Sequence, residues 1–155
     1  MEMIETGRDL REFFEVQHEI TSLMGRFFET IVSADGITVH QVMTLKTLKG
    51  QDRMCKMSDV AAMRFLTPAA ATGIIDRLIH LGLVERRFDE NDRRVILLTI
   101  TPEGEKKLGI IERKFMEAME QFLERVSESD RAASLRLFKK LRDFLKEKLN
   151  ASKKK

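Results

Sequence analysis

Apolar residues fall at positions 10, 13, 14, 20, 23, 24, 27, 28, 31 and 32. Steps of three and four predict an amphipathic helix with a broad, Phe-rich stripe. Asp35-Gly36 ends it with a turn signal. Thr38-Val39-His40-Gln41 reads as a capping box, with Ile37 and Val42 at the staple positions, so a second helix is expected from about Val39 to Leu48. Gly50 to Lys56 is polar and reads as a loop. Ser58 is the expected N-cap of a short third helix, Asp59 to about Arg64. Thr67-Pro68 combines a capping residue with proline at the first helical position and opens a fourth helix. Its inward stripe is Ala71, Ile74, Ile75, Leu78 and Leu81, and Gly82 sits where a terminal glycine belongs. Two strands follow, Leu83 to Arg87 and Arg94 to Ile100. Thr101-Pro102 repeats the cap-plus-proline signal and opens a long fifth helix with Leu108, Ile111, Phe115, Met119, Phe122 and Val126 in a three-four rhythm. Ser127 or Ser129 caps a last helix carrying Leu135, Phe138, Leu141, Leu145 and Leu149.

Composition narrows the class. The 155 residues suffice for one domain with a core, and 43% hydrophobic with 34% charged residues argues against disorder. Net charge is only +3, so any basic function must arise from local clustering. The lone Cys55 excludes an internal disulfide framework and fits a reducing compartment. The amino-terminal residues lack the pattern of a signal peptide, and no apolar run approaches the roughly 20 residues of a membrane span. A cytoplasmic protein without a membrane partner is expected. His18, His40 and His80 show no metal-ligand spacing with one another or with Cys55, so no metal and no cofactor are expected. No nucleophile–base–acid set, phosphate-binding glycine loop or paired carboxylates support an enzyme.

The element order is chemically informative. Two helices joined by a very short turn, then a two- to three-stranded antiparallel hairpin, make a winged helix-turn-helix in a mainly α chain. A recognition helix fits the major groove, and a hairpin tip with arginines reaches a flanking minor groove. At the tip, Asp92 stands two residues before Arg94 and is expected to hold that guanidinium, leaving Arg93 free to project. A merely solvated turn is the other reading of these three residues.

Val60-Ala61, Asp76-Arg77-Leu78, Gly82-Leu83-Val84-Glu85-Arg86, Asp92-Arg93-Arg94 and Leu98-Thr99-Ile100-Thr101-Pro102-Glu103-Gly104 occur in order. In these pieces the chain resembles the multiple antibiotic resistance regulators, the MarR family. The resemblance implies a homodimeric transcriptional regulator, commonly a repressor released by a small effector, acting on a pseudo-palindromic operator in double-stranded DNA. It implies that the first, fifth and sixth helices form a dimerisation bundle. The corresponding division is 1–36 and 102–150 for dimerisation, 37–101 for the DNA-binding lobe and 151–155 for a basic tail. The expected DNA-facing residues are Ser58, Thr67, Pro68, Ala69, Ala70, Thr72, Gly73, Arg77, Arg86, Asp92, Arg93 and Arg94. For Ser58, Lys56 and Arg53, phosphate contact and an ordinary solvated loop remain equal readings. The exposed face of the fourth helix is poor in bidentate base readers, so phosphate contacts and DNA shape are expected to dominate. Family analogy and the Phe-rich first helix also suggest a small aromatic or phenolic effector against Phe13, Phe14, His18 and Met43. The chain departs from the family at two places. Phe65 stands where the turn often has glycine, and is expected to plug the core instead. Gly73 stands where a longer polar residue is common. The alternative function is a winged helix used for protein–protein contact without DNA.

Overall fold

The computed structural model describes residues 8–51, 54–89 and 92–152. Arg53 and the last three residues of the basic tail lie outside them. The elements are α1 (Arg8–Ala34), α2 (Val39–Lys49), β1 (Cys55–Lys56), α3 (Met57–Met63), α4 (Pro68–His80), β2 (Val84–Phe88), β3 (Ile96–Ile100), α5 (Pro102–Glu124) and α6 (Glu128–Ser152). The sheet is antiparallel in the order β1-β3-β2.

Local signals start the helices as their chemistry dictates. The Thr38 hydroxyl accepts from the Gln41 amide at 3.3 Å, and the Gln41 side chain accepts from the Thr38 amide at 2.8 Å. That is the reciprocal box at the start of α2, and the staple residues Ile37 and Val42 are buried beneath it. Gly36 and Gly82 take the left-handed conformation at the ends of α1 and α4, where a side chain would be strained. Ser127 caps α6, its hydroxyl accepting from the Asp130 amide at 3.1 Å.

Two expectations about α3 are corrected. The stretch read as a loop ends in β1, whose two residues pair with Leu98 and Leu97 of β3. The chain leaves β1 extended at Lys56 and enters α3 directly at Met57. Ser58 therefore lies inside the helix and does not cap it; its hydroxyl donates to Asp59 at 3.4 Å. Strand pairing, rather than side-chain capping, sets where α3 begins. The first hairpin strand is shifted by one residue from the expected range, and the second is shorter than expected, with Arg94 in the turn ahead of β3.

The chain divides into two compact units, Met1–Phe115 and Met116–Lys155. In the first, Leu45, Val60, Ile75, Leu78, Leu98 and Leu108 form the centre of the core. Thr101 staples it together. Its hydroxyl donates to the Gly82 carbonyl at 2.7 Å and accepts from the Gly104 amide at 3.0 Å, while its own amide donates to the Leu83 carbonyl at 3.1 Å. One residue thus ties the end of α4, the start of β2 and the start of α5. Asp35, nearly buried at the end of α1, accepts from Lys114 at 2.6 Å and Lys107 at 3.3 Å on α5. Those lysines hold its carboxyl below the usual carboxylate range, against the opposing effect of burial.

The broad apolar stripe of α1 is mostly not core. Val32 is buried and Phe28 packs edge-on against Phe115 at 5.5 Å, but Leu10, Phe14, Ile20 and Leu23 are exposed. In the second unit, Phe138, Leu141 and Leu145 of α6 are exposed as well. Phe65 corrects a further expectation: it does not plug the core but is 97% exposed. Its φ of +53° is the left-handed conformation that a glycine adopts without strain. The backbone keeps the geometry of the tight α3–α4 turn, and the side chain is carried outward with it.

Candidate nucleic-acid interface

Three pieces of the first unit meet around one groove. The start of α4 is fixed by Thr67, whose hydroxyl accepts from the Ala70 amide at 3.3 Å. Pro68 has no N–H to leave unpaired, so the helix opens without one of its orphan donors. The groove has a volume of about 640 Å³. Lys56 and Ser58 on the α3 side, Pro68 and Thr72 on α4, and Arg94 at the wing line it. The fold therefore brings together Ser58, Pro68, Thr72 and Arg94, which the sequence places as far as 36 positions apart (94 minus 58). It adds Lys56, whose role the sequence left undecided. The missing signal was β1, since two residues are too few to show alternation.

The remaining recognition-helix residues, Ala69, Ala70, Gly73 and Arg77, are exposed. The Thr72 hydroxyl donates to the Pro68 carbonyl at 2.9 Å, so its polar group is already engaged within the helix. Gly73 has open space where a Cβ would stand. Arg86 belongs to a different spot from the wing tip: it shares a hollow of about 160 Å³ with Thr72, Ile75 and Asp76.

The tip of the wing is braced as its sequence predicts. Asp92 accepts from the Arg94 amide at 3.0 Å and from the Arg94 Nε at 3.1 Å. The Asp92 amide donates to the Asp89 carboxylate at 3.2 Å. The bonds to the Arg94 amide and then to its guanidinium hold the Asp92 carboxyl below its ordinary range. Arg94 stays 92% exposed despite this contact, and Arg93 is exposed beside it. The result, among the described residues, is a braced Arg94 beside an exposed Arg93, a pair of cations that suits a polyanion.

Residues 35–95, from the end of α1 through the wing tip, match the family model described as MarR family. Over that segment the chain is similar to the MarR family. It is similar to the HTH-type transcriptional repressor MdtR of Bacillus subtilis (strain 168), 38% identical over 72 residues. That match spans 46% of this chain and 46% of MdtR, under half the length of either. Among solved structures, the YusO protein from Bacillus subtilis aligns with a TM-score of 0.76 at 24% identity, covering 90% of this chain and 99% of YusO. A variant of Staphylococcus aureus MepR bound to an oligodeoxyribonucleotide aligns with a TM-score of 0.67 at 20% identity, covering 86% and 97%. At these identities the two structures show a common winged-helix fold.

Elsewhere in the chain, the residues expected to face an effector are spread out. Phe14 and His18 line a shallow hollow along α1 with Leu10, Arg11 and Glu15. Phe13 packs edge-on against Phe14 at 5.6 Å, and half-buried Met43 on α2 is not part of that hollow. Cys55 is buried in β1, and burial followed by the Asp59 charge pushes its thiol up. A thiol raised in this way stays protonated and unreactive near neutral pH. No helix is long and apolar enough to cross a membrane, among the described residues.

Proposed function

We propose that this chain is a homodimeric, sequence-specific DNA-binding transcriptional regulator, a repressor released by a small aromatic or phenolic effector. The observation that carries the DNA-binding reading is the groove shared by a capped recognition helix and a braced, arginine-bearing wing. Its relatives support it: MdtR is named a transcriptional repressor, and the MepR variant was crystallised on DNA. Homodimerisation is supported by the exposed apolar faces of α1 and α6, which a lone chain leaves in water. In the dimer, the two recognition helices would sit about one helical turn, roughly 34–36 Å, apart on a pseudo-palindrome. The effector part rests on family analogy and on Phe13, Phe14, His18 and Met43, and it assigns no cofactor or metal. Release requires an effector that prefers the non-binding arrangement, by about 5.5 kcal/mol to reverse a 1:99 population fully.

The test is the wing. Anisotropy titrations on the duplex upstream of the gene, at several salt concentrations, compare the wild type with Arg93→Ala and Asp92→Ala. Arg93→Ala is expected to weaken binding by about 1–3 kcal/mol at a base contact, or uniformly with a salt slope reduced by about one at a phosphate. Asp92→Ala is expected to weaken binding even though it removes a negative charge, because Arg94 loses its brace. Tighter binding by Asp92→Ala together with normal binding by Arg93→Ala would reduce the wing to a solvated turn. A protein–protein docking module would show no steep loss of affinity for DNA with salt.

A further inference from the structure

Phe65 is the most exposed large apolar side chain among the described residues. It is also the only non-glycine among them with a positive φ. Both properties oppose stability. The left-handed conformation costs free energy for any residue with a Cβ, and the phenyl ring recovers none of it through burial. Strained residues persist where the surroundings enforce them, and they cluster at functional sites. The surroundings here are the hydrogen bonds of the turn, from the Phe65 amide to Ala62 at 3.1 Å and from the Leu66 amide to Ala61 at 2.9 Å. These bonds explain the backbone. They do not explain a phenyl ring where glycine would satisfy the turn without strain.

The position of the ring supplies the explanation. Phe65 lies two residues before the Thr67 cap, and its neighbour Leu66 lines the groove with Pro68, Ser58 and Arg94. The entering end of α4 otherwise exposes only Thr67, Pro68, Ala69, Ala70, Thr72 and Gly73, all small or compact. Phe65 is therefore the most exposed bulky apolar group next to the start of the recognition helix, where that helix would enter the major groove. The apolar feature that DNA presents there is the C5 methyl of thymine, which side chains such as Ala, Thr and Phe recognise.

We propose that Phe65 is a specificity residue that packs on a thymine methyl at the point where α4 enters the groove. This rests on the DNA-binding reading above and adds a base-reading contact to it. In this arrangement the chain accepts strain in the turn to place an aromatic reader beside a helix whose own face is nearly bare.

The experiment uses the full chain and duplexes enriched by the wild type from a random library. Each thymine of the enriched duplex is replaced in turn by deoxyuridine, which lacks only the methyl group. Binding is measured by anisotropy for the wild type, Phe65→Gly and Phe65→Leu. One thymine per half-site is expected at which deoxyuridine weakens wild-type binding roughly fourfold, the effect of burying one methyl group. Phe65→Gly should show no loss at that position, and Phe65→Leu an intermediate one. Phe65→Gly should also unfold at a higher temperature than the wild type while binding the thymine duplex less tightly. A purely structural role would not move stability and binding in opposite directions. The proposal is overturned if Phe65→Gly binds the enriched duplex as tightly as the wild type. It is equally overturned if deoxyuridine at every position costs both proteins the same. A wild type that enriches no duplex at all would instead remove the DNA-binding reading, and the contact with it.

Discussion

Gly104 is the third residue of α5, and it touches the rest of the lobe through its missing side chain. A Cβ built there would fall well inside van der Waals distance of the Leu83 carbonyl oxygen and 2.8 Å from Ile100 Cγ1. The backbone neighbour is not free to yield. The Leu83 carbonyl accepts from the Thr101 amide at 3.1 Å, and the Gly104 amide donates to the Thr101 hydroxyl at 3.0 Å. Gly104→Ala must therefore push the start of α5 about 1 Å off the α4–β2 junction to reach ordinary contact distance. Overpacking of this kind costs about 1–3 kcal/mol, and stretching one of the Thr101 hydrogen bonds adds about 1 kcal/mol. Alanine's better helix propensity returns about 1 kcal/mol. The net expectation is a loss of about 2 kcal/mol, which for a chain of this size lowers Tm by roughly 4–8 °C. Gly73→Ala is the matched control, because the same change in α4 meets open space and should gain about 1 kcal/mol. Thermal unfolding followed by circular dichroism, at equal protein concentration, compares the two. A Gly104→Ala variant that unfolds at or above the wild-type temperature would refute the close-packing argument.

Two further outcomes are expected. Asp35→Asn should destabilise the protein at pH 7 by about 1 kcal/mol, since it uncouples the end of α1 from Lys107 and Lys114. Because the Asp35 carboxyl is held below its ordinary range, its contribution is present above the unfolded carboxyl pKa of about 4 and is lost as pH falls through the lower folded value. The gap in Tm between wild type and variant should therefore close in acid below that range; a gap unchanged from pH 7 to strong acid would contradict this role. Replacing Leu141 and Leu145 of α6 with glutamate should turn a dimer into monomers or insoluble protein. Sedimentation velocity reads this directly, and a wild type that runs as a monomer at micromolar concentration would sink the dimer proposal.

Much of the lobe could be read from local chemistry. The Thr38–Gln41 box, the Thr67-Pro68 start, the Gly82 terminus and the Asp92–Arg94 brace all depend on residues within four positions of one another. Short-range hydrogen bonds and backbone preferences act there before tertiary structure does. What escaped depends on distant partners. β1 exists because Cys55 and Lys56 pair with Leu98 and Leu97, and no two-residue pattern announces that. The start of α3 then follows the strand, so Ser58, a good cap by type, ends up inside the helix. Phe65 shows hydrophobicity losing to turn geometry: with φ at +53°, the ring is directed outward whatever its affinity for the core. The α1 stripe shows a further limit. Periodicity tells which face of a helix seeks a partner, but not whether that partner lies in the same chain.

The Thr101 staple bears on how such a protein can change over evolutionary time. It joins residue 101 to residue 82, 19 positions back, and so closes the hairpin at its root with two hydrogen bonds, to the Gly82 and Leu83 carbonyls. Toward its tip, beyond the buried Val84 and Leu98, the hairpin can lengthen or shorten without disturbing the junction of α4, β2 and α5. Adding one residue to each strand would extend the hairpin by about 3.4 Å. Because closing a longer loop costs only about 0.6 kcal/mol per doubling, such changes are nearly neutral for folding. A shift of that size is about one base-pair step along DNA. On the DNA-binding reading proposed above, the reach of the wing can thus drift in increments matched to the spacing of an operator, while the recognition helix stays where it is.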